Sequence, residues 1–398
     1  MNMKKILMLG GSYFQIPAIK YAKDAGYYVV TVDYLPDNPG HKFSDEYYNI
    51  STTDKEAVLN LAMKLNIDGI VAYASDPAAS TAAYVSEKLK LPGNSYKSVN
   101  IMTNKDLYRE FLRKNGFNFP YFKSYYSFAD VKWDFDKFRF PLMVKPTDSS
   151  GSKGVSKVSN ESEFETAFLY ALKFSRSKKV IVEEYINRTG SQIHGDGFVV
   201  DGKIVSVFLG DHMFACREKN FTPVATTFPT VINNNILKRI IKNLQRLIIC
   251  IGFKQGAINI EVMIDKSGNI FLMEVGPRNG GNHIPLLIES ITNFDMIKGT
   301  VDIALGIHTK FILKENFGFF SYYVIHSMIK GKYHSVEIDT VIERNILKKD
   351  IMKKIGEDIF AFNGSNNTVG ILLLKFDSRI EMNSIMNNIN KYVKVVVK

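Results

Sequence analysis

The chain has 398 residues, 45% of them hydrophobic, with 27 glycines and 12 prolines, which excludes a disordered or collagen-like polymer and suits about two to three domains. Lysine and arginine outnumber aspartate and glutamate by 51 to 40, a net charge of +11. The basic residues are spread along the chain without a basic run or a basic-aromatic stripe, so small anions rather than nucleic acid are the expected partners.

Residues 4 to 9 read as a buried strand that stops at Gly10-Gly11, and a helical pattern follows to Ala25 and Gly26. The apolar run Ile6 to Leu9 is shorter than the roughly 7 to 15 residues of a signal-peptide core, and nothing approaches the roughly 18 of a membrane span. Export and a membrane partner are therefore not expected. Cys216 and Cys250 lack CxxC spacing and a histidine at zinc-finger distance, which fits a reducing cytoplasm without structural metal or disulfide. A second strand, Tyr28 to Val32, closes on Asp33, and a helix from Asp54 carries Ala57, Val58, Leu61, Ala62 and Leu65 on one face. With a short strand at 68 to 73, the alternating units to about residue 93 predict a parallel sheet. Only Gly10 and Gly11 are present where a dinucleotide fold would carry GxGxxG, so NAD is not expected.

At Thr103-Asn-Lys-Asp106 the pattern changes. The T-x-x-D spacing predicts a capping box opening a helix over Leu107, Tyr108, Phe111 and Leu112 that closes at Gly116. From Phe140 the chain reads as mixed α+β. Strands are predicted at Pro141 to Pro146, Val180 to Ile186, Asp196 to Val200, Ile204 to Leu209, Ala257 to Ile264 and Ile270 to Val275, with a helix at Asn235 to Cys250. After Gly306, strands near Phe319 to His326 and Thr368 to Phe376 and a helix near Glu381 to Tyr392 predict a small α+β lobe. The expected fold class is thus α/β plus α+β, with domains at 1–103, 104–309 and 310–398.

Four features carry chemistry. The loop Asp148-Ser-Ser-Gly-Ser-Lys-Gly154 can turn backbone N–H groups onto a polyanion, helped by Ser149, Ser150, Ser152 and Lys153. Alone it reads more readily as a flexible turn, but Lys145, between Val144 and Pro146 at the end of an apolar strand, needs an anion to compensate it. Gly197 to Lys203 has Walker A spacing, yet Ile204 stands where magnesium needs Ser or Thr, so it reads as a hairpin turn. A kinase is excluded because Lys145 precedes the glycine loop and HRD and DFG are missing. A turn centred on Ser267-Gly268 sets Glu261 opposite Glu274, two like charges that a cation such as Mg²⁺ would reconcile; a pair of solvated strand carboxylates is the alternative. Arg278 follows in a glycine-rich turn and is either an oxyanion or phosphoryl partner or a surface arginine.

Taken together, Lys105, Pro141-Leu-Met-Val-Lys145-Pro with its loop, Val180-Ile-Val-Glu183-Glu-Tyr-Ile186, and Glu261 through Glu274-Val-Gly-Pro-Arg278 resemble the ATP-grasp superfamily over roughly residues 1 to 306. The N-terminal domain looks like that of its carboxylate-amine ligases and of its biotin-carboxylase-like and purine-pathway carboxylase-like members. The resemblance implies ATP as cosubstrate. Lys105 and Lys145 would lie on its phosphates under Ser150, Gly151, Ser152 and Gly154, with Glu183, Glu184, Tyr185 and Ile186 as the adenine hinge. It implies Mg²⁺, or Mn²⁺ in its place, on Glu261 and Glu274, and catalytic roles for Lys145 and Arg278. Gln192, with His194 nearby, stands where the family usually has a ribose-binding glutamate, and Gly276 where many members have a metal-binding asparagine. Arg278, Asn282 and Arg217 are the residues expected to meet substrate, although Arg217 to Lys219 reads more readily as a solvated loop. The implied function is an ADP-forming carboxylate-amine ligase acting through an acyl phosphate on small-molecule acid and amine, in a family that often forms homodimers. The alternatives are a bicarbonate-activating enzyme and a non-catalytic nucleotide-binding regulator.

Overall fold

The computed structural model describes residues 3–132, 134–216, 220–312 and 318–398. The N-terminal part is a four-stranded parallel sheet in the order Glu46–Asn49, Tyr28–Asp33, Lys5–Leu9, Gly69–Val71. The edge strand Glu46–Asn49 is polar and only partly buried, while the other three strands are near-continuous apolar runs, with Ile6, Leu7, Val29 and Val30 wholly buried. Each such side chain contributes about 1.5–3 kcal/mol by burial. The helix Lys55–Leu65 begins at Asp54, whose carboxylate accepts from the Ala57 amide, and ends at Asn66 in the left-handed region. Strand order reverses between Lys5–Leu9 and Gly69–Val71, and the segments leaving their C-terminal ends carry Phe14 and Asp76. In such sheets that crevice is where ligands bind.

The expected capping box at Thr103 does not form. Thr103 ends the helix Tyr96–Thr103, where its hydroxyl bonds back to the Val99 carbonyl. Asn104 is the N-cap of the next helix, Lys105–Lys114. A helix ending immediately before the motif takes its first residue, so the next helix starts one residue later than the spacing predicts.

Beyond it, a four-stranded antiparallel sheet runs Phe122–Tyr125, Val180–Glu184, Leu142–Pro146, Ser156–Val158, with the helix Phe164–Phe174 packed on it. An eight-stranded antiparallel sheet runs Ile270–Gly276, Gly256–Ile264, Ile193–Val200, Lys203–Cys216, Asn220–Phe228, Phe319–Ile325, Gly370–Phe376, Ile346–Ile351. The last three strands come from the C-terminal segment, so 310–398 continues the sheet of the segment before it. The predicted helix Glu381 to Tyr392 is two helices, Arg379–Asn387 and Ile389–Tyr392, separated at Asn388. Asp201 and Gly202, both at positive φ, make the hairpin turn expected in place of a Walker loop.

Candidate active site

One face of the eight-stranded sheet supplies the floor of a cleft of about 310 Å³. Glu274 stands on its edge strand and Glu261 directly opposite on the next. The register is reached through a bulge: it shifts between Glu261 and Val262, leaving Met273 without an opposite residue. The Met273 carbonyl freed in this way accepts from Arg109 at 2.8 Å. Gln192 lies on the other side of Glu261 and donates its amide to Oε2 at 2.8 Å. It is thus turned toward the carboxylate pair. Burial, and then the Glu274 charge, raise the Glu261 carboxyl to about 7.

That shift has a sign. The folded value lies above the ordinary 4.5, so the proton on Glu261 stabilises the fold fully below 4.5, and that stabilisation is lost as pH rises through about 7. Thermal melts without divalent cation should therefore fall from pH 5 to 7.5, and Glu261→Gln should flatten the profile. An unchanged slope in that variant would assign the pH dependence to other groups.

Lys145 meets its anion within the protein. Its Nζ lies 2.6 Å from Glu183 Oε2, while Arg109 Nε lies 2.7 Å from Glu183 Oε1. The second pair is an ion contact without well-aligned hydrogen-bond geometry. The burial argument for a phosphate at Lys145 is thus answered by Glu183, and two cations around one carboxylate leave an excess of positive charge toward the cleft. Despite its burial, Glu183 is held down at about 2 by Arg109 and Lys145. Arg109→Ala would leave this buried carboxylate with one partner, at an expected cost of about 3–5 kcal/mol. Urea unfolding checks this, and a loss below about 1 kcal/mol would contradict it.

Lys105, one helical turn before Arg109, places Nζ 3.5 Å from Glu274 Oε2 and donates to the Ser149 carbonyl at 2.9 Å. It ties the serine-glycine loop to the carboxylate pair. The base of that loop is fixed by Asp148, which accepts from the Ser175 hydroxyl and the Arg176 and Ser177 amides. Gly151, Ser152 and Gly154 all adopt positive φ. Ser149 to Lys153 line the cleft opposite the sheet.

Arg278 is held from the N-terminal domain. Its Nε and Nη2 donate to the two Asp76 oxygens at 2.8 and 2.6 Å, and Nη1 donates to the Asn279 carbonyl at 3.1 Å. This fork explains Gly276: a Cβ there would lie 2.7 Å from Asp76 Oδ1. Beneath the turn, wholly buried Asp196 accepts from the Gly280 amide and the Asn259 side chain, each at 2.7 Å. Asn259 also reaches His194 Nε2 at 3.1 Å, and His194 Nδ1 meets the Thr226 hydroxyl at 3.0 Å. Burial lowers His194 to about 3 and His212, stacked on it at 4.0 Å, well below its usual range, so both are neutral.

The cleft therefore gathers Lys105, Lys145, Ser150, Gly151, Ser152, Gln192, His194, Glu261, Glu274, Arg278 and Asn282. Gly154 is buried in the loop behind it, against Phe174 and Pro146. Glu183 turns its carboxylate to Lys145 and Arg109, and the residues expected as an adenine hinge lie at and beyond the end of its strand. There the Glu184 amide donates to the Tyr121 carbonyl and the Tyr185 amide to the Pro141 carbonyl. Arg217 lies outside the described residues. Arg109, Asp76, Asp196 and Asn259 were not foreseen. Of these, only Arg109 had a local signal, its i+4 spacing from Lys105.

Residues 138–285 match the ATP-grasp domain. Over 303 residues, 74% of this chain, the sequence is 26% identical to the carbamoyl phosphate synthase large chain of Thermoanaerobacter sp. (strain X514), and the match spans 27% of that protein. The L-amino acid ligase from Bacillus licheniformis has the same fold, with a TM-score of 0.83 and 19% identity over 99% of both chains. So does the biotin carboxylase domain of the Hydrogenobacter thermophilus 2-oxoglutarate carboxylase, a dimer solved with MgADP, ADP and bicarbonate. There the TM-score is 0.76 at 18% identity, over 100% of this chain and 92% of that one. Matched in sequence over its central domain and in fold over its whole length, the chain carries an ATP-grasp domain at residues 138–285 within a full-length ATP-grasp fold.

Proposed function

We propose that this protein is an ATP-dependent, ADP-forming ligase that joins a small-molecule carboxylate to an amine. A carboxylate oxygen attacks the γ-phosphorus of ATP and ADP leaves. The amine nitrogen then attacks the acyl carbon, phosphate departs, and the amine loses a proton to solvent. The observation that carries this reading is the convergence on one cleft of facing Glu261 and Glu274 with Lys105, Lys145 and Arg278. Such chemistry needs positioning and charge neutralisation more than a protein nucleophile.

The two carboxylates suit Mg²⁺ or Mn²⁺. They are hard oxygen donors set side by side, and Glu261 is raised first by burial and then by the Glu274 charge, a repulsion that a cation would relieve. The ion would supply charge neutralisation at the phosphates. Lys105 and Lys145 hold the phosphate chain, the Ser149 to Lys153 loop covers it and excludes water, and Arg278, pinned by Asp76, faces the reacting carboxylate. Support for a bicarbonate-activating reading comes from the carbamoyl phosphate synthase relative and the bicarbonate in the carboxylase structure. ADP release from MgATP with pooled carboxylic acids, using hydroxylamine as surrogate amine, separates the two. Hydroxamate is the expected product, and ADP that appears only with bicarbonate and without hydroxamate would overturn the ligase reading.

A further inference from the structure

The sheet face that floors the cleft changes character from strand to strand. At one edge stand the carboxylates Glu274 and Glu261. Next come Gln192, His194 and His212, all uncharged, and then Phe214, Thr222 and Pro223. The far end is Tyr322 and Val324 of the strand Phe319–Ile325, two residues apart and so on one face. Phe362 and Ile284 close this end, and Phe14 from the N-terminal domain reaches it against His283, with ring centroids 5.7 Å apart. The cleft-lining residues that follow Arg278 in the chain include no Asp, Glu, Lys or Arg among the described residues, and the charged Lys153 stands on the loop that touches Ser365. The polar points at the far end are neutral. The Thr226 hydroxyl donates to Tyr322 Oη at 3.0 Å, and Asn282 also bonds to the Tyr322 hydroxyl.

We propose that the acid activated at this site carries a bulky, uncharged, apolar side chain, seated in the chamber of Phe14, Ile284, Tyr322, Val324 and Phe362. This rests on the ligase reading and adds the substrate class to it. The acid's carboxylate meets Arg278 at the mouth of the chamber, and its body extends away from the charged edge. A charged side chain placed there would exchange water for aromatic and aliphatic walls. Bicarbonate would leave the chamber empty. Tyr322, Val324 and Phe362 belong to the C-terminal segment, outside the matched domain at 138–285. Three of the five chamber residues thus come from outside the matched domain on its C-terminal side, and Phe14 from the N-terminal domain.

The test uses the full chain with MgATP and hydroxylamine, comparing leucine, methionine and phenylalanine with aspartate, glutamate and lysine. ADP and hydroxamate are read together, and thermal shifts of the MgADP complex with each acid are read in parallel. Apolar acids should exceed charged ones in kcat/KM by about 10-fold or more. Val324→Thr, which keeps the shape and adds a hydroxyl, and Phe14→Ser, at a half-buried position, should each narrow that ratio through KM. Hydroxamate formed equally well or better with charged acids would overturn the proposal and leave the ligase reading standing. ADP only with bicarbonate would remove the ligase reading, and the thermal shifts would then judge the chamber by itself. Stabilisation by apolar acids alone supports it, and none overturns it. The same shifts decide if no acid yields ADP.

Discussion

Glu274→Gln is expected to lower ADP formation by more than about 100-fold while leaving the melting temperature at or above that of the wild type. Loss of even a partner of a metal ligand costs about 10- to 100-fold, and here the proposed ligand itself is removed. The fold should not suffer, because the substitution keeps the side chain's shape and deletes one of two like charges on neighbouring strands. Glu274 is the second-largest cause raising the Glu261 carboxyl, so the variant should also move the pH-dependent loss of stability to lower pH. Steady-state ADP release and pH-resolved melts check both halves. Undiminished turnover would remove the metal role from this pair.

Gly276→Asn should also be damaging, although it installs the metal-binding asparagine that the ATP-grasp resemblance implies at this position. A side chain at 276 begins 2.7 Å from Asp76 Oδ1, within a fork whose two bonds, at 2.8 and 2.6 Å, are the Arg278 anchor. Asp76 has to move, and Arg278 loses its orientation and its buried counter-charge. A loss of more than about 10-fold in kcat is expected. Asp76→Ala, which breaks the pair from the other side, should cost about 3–5 kcal/mol of stability. The double variant Gly276→Asn/Asp76→Ala separates crowding from pairing. If crowding is the fault of the glycine substitution, adding Asp76→Ala should cost less on that background than on the wild type.

Much of this architecture is legible in the sequence, and the places where it is not have physical causes. The hydrophobic periodicity of residues 4 to 73 gives three strands of the parallel sheet because they are buried apolar runs, and it misses the edge strand Glu46–Asn49, which is polar and only partly buried. The pairing of Glu261 with Glu274 follows from counting across the turn, yet the count succeeds by way of a bulge. The hairpin next to the turn is offset by one residue, and Met273 absorbs the difference. No composition rule announces that bulge. Its carbonyl is satisfied by Arg109, 164 residues earlier in the chain. Asp76 is hidden for the same reason, since it and Arg278 are 202 residues apart and meet only when the N-terminal domain docks. Lys145 shows how a sound local argument can overlook a partner supplied by the fold. The buried cation did need an anion, and Glu183, on the neighbouring strand, already supplies one within the protein. The C-terminal segment carries no motif, because its contribution is a sheet extension and an apolar wall.

The central claim is that the γ-phosphoryl group passes to the carboxylate of the acid before the amine arrives. Running the reaction with an acid labelled by ¹⁸O in its carboxyl group, and reading the released phosphate by mass spectrometry, tests it most directly. The mechanism places one labelled oxygen in phosphate for each amide formed. Amide formation with unlabelled phosphate would contradict it.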